Sequence, residues 1–461
     1  MTDTPIDETE PEASGIAQLT GALVAEDRAE LRQLMEVAHE ADIADQLEQM
    51  SSEQRRAIVD LVPDAVTPDI LAELEDEVLE DVLPRLGDQQ IADALSEMDS
   101  DDATAVVEEL QDNRREGVLS AMSDVDRRAV EDSFTYEEET AGRVMQREFV
   151  AAPDFWTVGQ VIDHMRAQGD NLPEIFFNIY VVDARLHPTG YVPISQIMRQ
   201  PRDRKISALL EPLLVKIPQD MDQEDVAYQF SKYHLISAPV VDINDRIIGM
   251  ITVDDIVNVI QDENTEDMLA LAGVSDAGLT DTAISTVKSR APWLFINLLT
   301  AILASFVIAS FDYAISQVVA LAVLMPIVAS MGGNAGTQAL AVAIRGLAER
   351  DLTRANAVRA VRREFLAAAI IGLIFAVALA AIAYIWFDSE TLGFDNRKLA
   401  LVCFVAMIIN HICAGLAGIL VPLGLKRAGA DPAVSSSVFV TTVTDVIGFF
   451  AFLGTAVLLL F

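Results

Sequence analysis

Cysteine, aromatic residues and basic charge are all scarce in this 461-residue sequence. The 2 cysteines, Cys403 and Cys413, both fall within one long apolar stretch, which excludes a disulfide framework or a thiolate zinc site and leaves packing as their role. Against 71 Asp and Glu there are only 32 Lys and Arg, for a formal net charge of -39. The deficit is not evenly spread. From residue 291 onward 10 Lys and Arg balance 9 Asp and Glu, so 62 carboxylates belong to the first 290 residues. An excess of that size argues against nucleic acid or anionic lipid as a partner of that half and for cations. No apolar leader follows Met1, where Thr, Asp and Glu come early, so the first long apolar run is expected to serve as the insertion signal.

Long apolar runs are abundant in the second half. About 20 apolar residues cross a bilayer, and such stretches lie at about 292–311, 316–345, 364–387, 399–425 and 432–460. Glycines interrupt the second of these, which reads as a broken span. The loop after it carries Arg345, Arg350, Arg354, Arg359, Arg362 and Arg363, and the loop after the fourth carries Lys426 and Arg427. The loop after the third is acidic or mixed. Positive loops stay in the cytosol. The expected protein is therefore multi-pass in the plasma (inner) membrane, with its N-terminus cytosolic and its C-terminus extracytosolic.

The acidic half divides by pattern. Residues 1–24 read as a disordered tail and 25–140 as short amphipathic helices. Asp88, Ser100, Asp112 and Asp124 recur every twelve residues, each suited to cap a helix N-terminus, and Thr67-Pro68 is another such start. Short helices unable to bury a face alone stack into a small superhelix. Strands then enter. Val181-Val182-Asp183 and Gly190 match Val240-Val241-Asp242 and Gly249 at a constant offset of 59 residues. This repeat resembles a tandem CBS module, with one copy at 141–204 and the next at 205–262. The second copy keeps that family's adenosine-ribose pattern as Thr252-Val253-Asp254-Asp255, making Thr252 and Asp255 candidates for a nucleotide such as ATP. The first has Pro193-Ile194-Ser195-Gln196 in its place. Residues 263–290 read as a linking helix with a break at 272–278, and 291–461 as the membrane domain.

Chemistry concentrates in the spans. Asp445 sits mid-way along the last apolar run, and no basic residue follows Arg427. An ionised carboxylate at bilayer depth costs about 2.5–3.5 kcal/mol or more, so it normally faces water, a partner charge or an ion. Asp431, Ser435, Thr442 and Asp445 fall on one helix face, Thr441 lies beside them, and Asp431 also suits an N-cap. In the second span Gly332, Gly333, Asn334, Gly336, Thr337 and Gln338 combine close backbone approach with neutral oxygens that suit a hydrated cation; a small-residue packing seam is the alternative. One carboxylate, rather than a cage, suits Mg²⁺, which keeps several waters. Asn410-His411 reads as a hydrogen-bonded packing pair. An aspartyl protease would need two neighbouring acids, and only Asp445 lies at mid-membrane.

The GGNAGTQ element of the second span and the DPA…TTVTDV run of the fifth resemble the MgtE family of magnesium channels, as does the YEEETAGRVM stretch at Tyr136 to Met145. The resemblance covers about 25–461. It implies a multi-domain membrane protein: an α-superhelical N domain, an α+β tandem CBS pair and an all-α five-helix transmembrane domain. It also implies a homodimeric Mg²⁺-selective channel, not an enzyme, with its pore between the second and fifth spans of both subunits and Asp445 as the central ion-binding residue. Cytosolic Mg²⁺ would close it by binding at positions matching Asp222, Glu224, Asp255, Glu263, Glu266 and Asp267. An ion-coupled divalent-cation carrier and a CBS receptor without transport are the competing classes.

Overall fold

The computed structural model describes residues 9–169, 172–173, 175–274, 283–353, 355–388 and 395–461. Two compact units divide the chain, residues 1–261 and 262–461.

The first unit begins with a helix, Thr9–Val24, which corrects the expected disordered tail; residues 1–8 lie outside the described residues. The reason is apolar spacing. Leu19 and Ala22 point into the core that the following helices share, and Ile16 and Leu23 pack against it. That core runs from Leu19 to Val130 through every helix of the domain. The twelve-residue recurrence does mark helix starts, but one position late. Asp88, Ser100, Asp112 and Asp124 are first helical residues, and the caps are Gly87, Asp99, Gln111 and Ser123. Only Ser123 of these caps bonds the helix amides through its side chain, so the acids at the following position favour the helix through its dipole. Thr67 caps as expected, with Pro68 behind it. One buried pair ties two helices: Arg55, 1% exposed, reaches the Asp81 carboxylate at 2.7 Å, and Arg56 reaches its other oxygen at 2.6 Å.

The repeat is visible in strand register. In the first CBS sheet β1 (Ala151–Pro153) runs parallel to β2 (Asn178–Val182), which pairs antiparallel with β3 (Pro188–Pro193). The second sheet repeats this order with β4 (Ile217–Pro218), β5 (Ser237–Val241) and β6 (Ile247–Thr252). Val181 faces Gly190 and Val240 faces Gly249, with a bulge directly after each pair. One boundary differs from the expectation. Ala141 and Met145, counted with the first copy, lie in the core of the second. Backbone bonds from Gly142 to Gln219 and between Gln146 and Met250 hold them there.

Among its described residues the second unit contains five helices long and apolar enough to cross a membrane: Thr286–Ala309, Val319–Ala348, Ala357–Trp386, Asn396–Ala428 and Pro432–Leu460. The second span is unbroken, contrary to the expected interruption, because Gly332 and Gly336 are packing positions. Gly332 and Gly336 are buried, and a Cβ on Gly332 would stand 2.1 Å from Nδ2 of Asn410. Asn410 cannot swing away. Its Nδ2 donates to the Val328 carbonyl at 2.7 Å, and the Gly448 backbone closes on its other side. A linking helix, Val253–Ala272, precedes the spans; the expected break at 272–278 falls at its end, where Gly273 has φ 74°, while 275–282 lie outside the described residues.

Gly332→Ala is therefore expected to destabilise the membrane domain by about 1–3 kcal/mol through overpacking. Gly333→Ala should be neutral, since nothing lies within 4 Å of its Cβ position. Thermal unfolding of the detergent-solubilised chain checks both.

Candidate ion pathway and its acidic neighbours

The fifth span has one buried row. Ser436, Val440, Thr444, Gly448, Phe452 and Ala456 recur every four residues and face the other spans. A Cβ on Gly336 would meet Val440 at 2.8 Å and Thr444 at 3.2 Å, so the second and fifth spans touch backbone to side chain along this row. Asp445 is one residue further, about 100° round the helix. It is half-buried, and its carboxylate has no hydrogen bond or ion pair among the described residues. Thr441 and Thr442 flank it on the same half-buried surface. Their hydroxyls donate to the Ser437 carbonyl at 3.0 Å and the Val438 carbonyl at 2.6 Å. With the protons committed to the helix, the hydroxyl oxygens are left to accept from outside. The side chain of Ser435 lies outside the described residues.

The glycine element of the second span has two faces. Gly332 and Gly336 belong to the packing seam, while Asn334, Thr337 and Gln338 are exposed and Gly333 is half-buried beside them. Thr337 donates to the Gly333 carbonyl at 3.0 Å. Asp431 caps the fifth span, accepting from the Ala433 amide at 2.8 Å. His411 is buried, bonds the Met407 carbonyl at 3.0 Å and stacks on Phe375, in keeping with the packing role expected of it.

The end of the linking helix seats on this domain. Ala270 shares one apolar cluster with Leu340, Ile344, Ala433 and Val440. Asp267, a turn earlier, has its carboxyl pushed above the usual range by burial and by nearby Asp431. Glu263 is half-buried and Glu266 exposed on the same helix.

In the first unit, Asp222 and Asp255 have different hydrogen-bond partners. Asp222 caps its own helix, accepting from the Glu224 amide at 2.9 Å, and its backbone bridges to Thr140. Asp255 instead faces a group that spacing alone did not reveal: Asp99, Asp101 and Asp102 from the helical domain. Helix start Ser100 is docked on the segment before β1, where its hydroxyl and amide both donate to Glu148 and its oxygen accepts from the Arg147 amide at 2.8 Å. Gln146 holds Asp99 at 3.0 Å. This contact brings carboxylates from two domains together. Burial first, then Asp255 and its neighbours, push the Asp101 carboxyl well up and the Asp102 carboxyl to about 7. The missed signal was the Asp101-Asp102 doublet behind a helix start. Among the described residues no three His, Cys, Asp or Glu stand in metal-holding geometry, so these acids form a charged contact rather than a preformed cage.

The ribose-type pair is closed on itself: Thr252 donates to Asp255 through both its amide and its hydroxyl. A cavity of about 320 Å³ between the CBS copies is lined instead by Phe177, Asn178, Tyr180, Ser195, His234 and Ser237, with neither Thr252 nor Asp255.

Five spans with a bare carboxylate in the last, a linking helix seated on them and a CBS pair ahead of it define a membrane protein of the ion-transporting class. Known proteins agree. A family described as divalent cation transporter matches residues 325–455, the MgtE intracellular N domain matches 38–139, and a CBS domain matches 208–262. The magnesium transporter MgtE of Thermus thermophilus is 33% identical over 451 residues, covering 96% of this chain and 98% of that protein. That of Enterococcus faecalis is 32% identical over 316 residues, 68% of each. A solved structure of the cytosolic domain of the Mg²⁺ channel MgtE in complex with ATP is 27% identical with a TM-score of 0.49, covering 53% of this chain and 99% of that one. The chain belongs to the MgtE family and is a transporter, not an enzyme.

A carboxylate whose pKa is raised on docking binds its proton more tightly in the docked state. Without divalent cations, the protonation that favours contact between the helical domain and the CBS pair should therefore act fully below the ordinary carboxylate value of 3.8, and the contact should loosen progressively as pH rises from there to about 7. Millimolar Mg²⁺ should keep it closed at high pH. Hydrogen exchange of Ser100–Glu108 checks this, and Asp101→Asn with Asp102→Asn should remove both dependences.

Proposed function

We propose that this protein is a Mg²⁺-selective channel for Mg²⁺ uptake across the plasma membrane, working as a homodimer and closed by cytosolic Mg²⁺. The observation that carries the reading is the unpaired Asp445 carboxylate at mid-span. Exposed Asn334, Thr337 and Gln338 at bilayer depth support it. Polar groups there cannot face acyl chains at acceptable cost, so a second copy and a hydrated path between the copies must cover them. Two Asp445 carboxylates across a dimer axis would offer a largely hydrated Mg²⁺ the one or two acidic contacts it takes. Thr441, Thr442, Asn334 and Thr337 would accept hydrogen bonds from its waters. Gly332 and Gly336 would serve by holding the second span close to the fifth.

Closure follows from repulsion. Asp267 of the linking helix faces Asp431 at the start of the fifth span, and Asp255 faces the Asp99–Asp102 group. Ionised acids push these contacts apart unless a cation bridges them, so high Mg²⁺ favours the seated linking helix. Glu263 and Glu266 would add to that charge, and Asp222 and Glu224 to the same sensing half. The CBS cleft is the candidate place for ATP. The arginine-rich loop after the second span supports a cytosolic N-terminal half and a C-terminus outside.

Asp445→Asn should abolish rescue of a Mg²⁺-uptake-deficient bacterium while the protein still reaches the membrane; normal rescue would remove the pore role. Glu263→Ala with Asp267→Ala should leave conductance open at cytosolic Mg²⁺ that closes the wild type, as read by patch recording. Flux that demands a counter-ion would favour a carrier instead.

A further inference from the structure

A second cavity, about 450 Å³, opens where the end of the second span, the turn after it, the start of the third span and Ile419 of the fourth meet. Arg345, Arg359 and Arg363 line it. Arg345 is spoken for: it binds Glu349 at 2.8 Å, with Asp351 close by. The third acid, Glu364, turns toward Gly415 of the fourth span. Arg359 and Arg363 have no ion pair or hydrogen bond among the described residues. They stand four residues apart on one face of a helix whose first residue, Ala357, has no side-chain cap before it. In a chain with 71 carboxylates, two guanidiniums left without one mark a place built for an anion from elsewhere.

The rest of the cavity says which anion. Apolar Val342, Ala343, Ala360 and Ile419 also line it. Val342 is 56% exposed, and the apolar surface continues along the third span through Phe365 and Leu366, 41% and 49% exposed. That surface faces acyl chains in a five-span protein, and the arginines stand at the span ends where headgroups lie. Guanidinium pairs bind phosphate oxygens in fork geometry, and basic pockets between spans hold anionic headgroups. We propose that this cavity binds the phosphate of an anionic diacyl phospholipid, held by Arg359 and Arg363 with its chains along the second and third spans. The assignment is independent of the transport reading.

The test uses the full chain in detergent and measures retention of phosphatidylglycerol against phosphatidylcholine by native mass spectrometry. Phosphatidylglycerol should be preferred. Arg359→Gln and Arg363→Gln should each weaken it about fivefold, and Arg362→Gln, the same charge change on the same helix outside the cavity, should not. Arg359→Lys with Arg363→Lys should bind better than the matching double glutamine variant. Glycerol phosphate at the lipid's concentration should not displace it. Equal binding across the glutamine variants, no preference over phosphatidylcholine, no recovery with lysine, or displacement by glycerol phosphate would each overturn the proposal.

Discussion

A charge in hydrocarbon needs either water or a partner, and this protein keeps one at Asp445 with no partner among the described residues. The helices around it are arranged so that it stays accessible. The buried row from Ser436 to Ala456 commits one face of the fifth span to packing. The seam at Gly332 and Gly336 brings the second span close enough for Val440 and Thr444 to fill it. What remains uncovered is the half-exposed strip with Thr441, Thr442 and Asp445. Close packing on one face thus fixes which polar groups remain on the other.

The acidic half applies the same electrostatics in a wetter setting. Carboxylates from two domains meet at Asp101, Asp102 and Asp255, and one from the linking helix meets Asp431. Each contact is weakest when every member is ionised. Protons or cations therefore act on the stability of the contacts themselves, and the linking helix, through Ala270, seats on the same apolar cluster as Leu340 and Val440.

Much of this was legible from residue order. The offset of 59 residues foretold two matching strand pairs, because a strand pair, a turn and a glycine at fixed spacing leave little freedom in register. Apolar length located all five spans. Other features were hidden. The tail at 9–24 is helical because a core elsewhere accepts Leu19 and Ala22. The second span is continuous because Asn410, distant in sequence, fills the space beside Gly332. Ala141 and Met145 joined the second CBS core through backbone bonds to Gln219 and Met250.

The charge balance likewise concealed a local reversal, since Arg359 and Arg363 stand unpaired among the described residues of a strongly acidic chain. Sequence by itself determined the domain order, the spans and the isolated Asp445, because hydropathy, periodicity and charge are properties of a segment and its bilayer. Tertiary structure alone decided which carboxylates meet, which glycines are packing positions and where cavities open. Those outcomes depend on distances between segments far apart in the chain, and Coulomb repulsion and close packing act only on such distances.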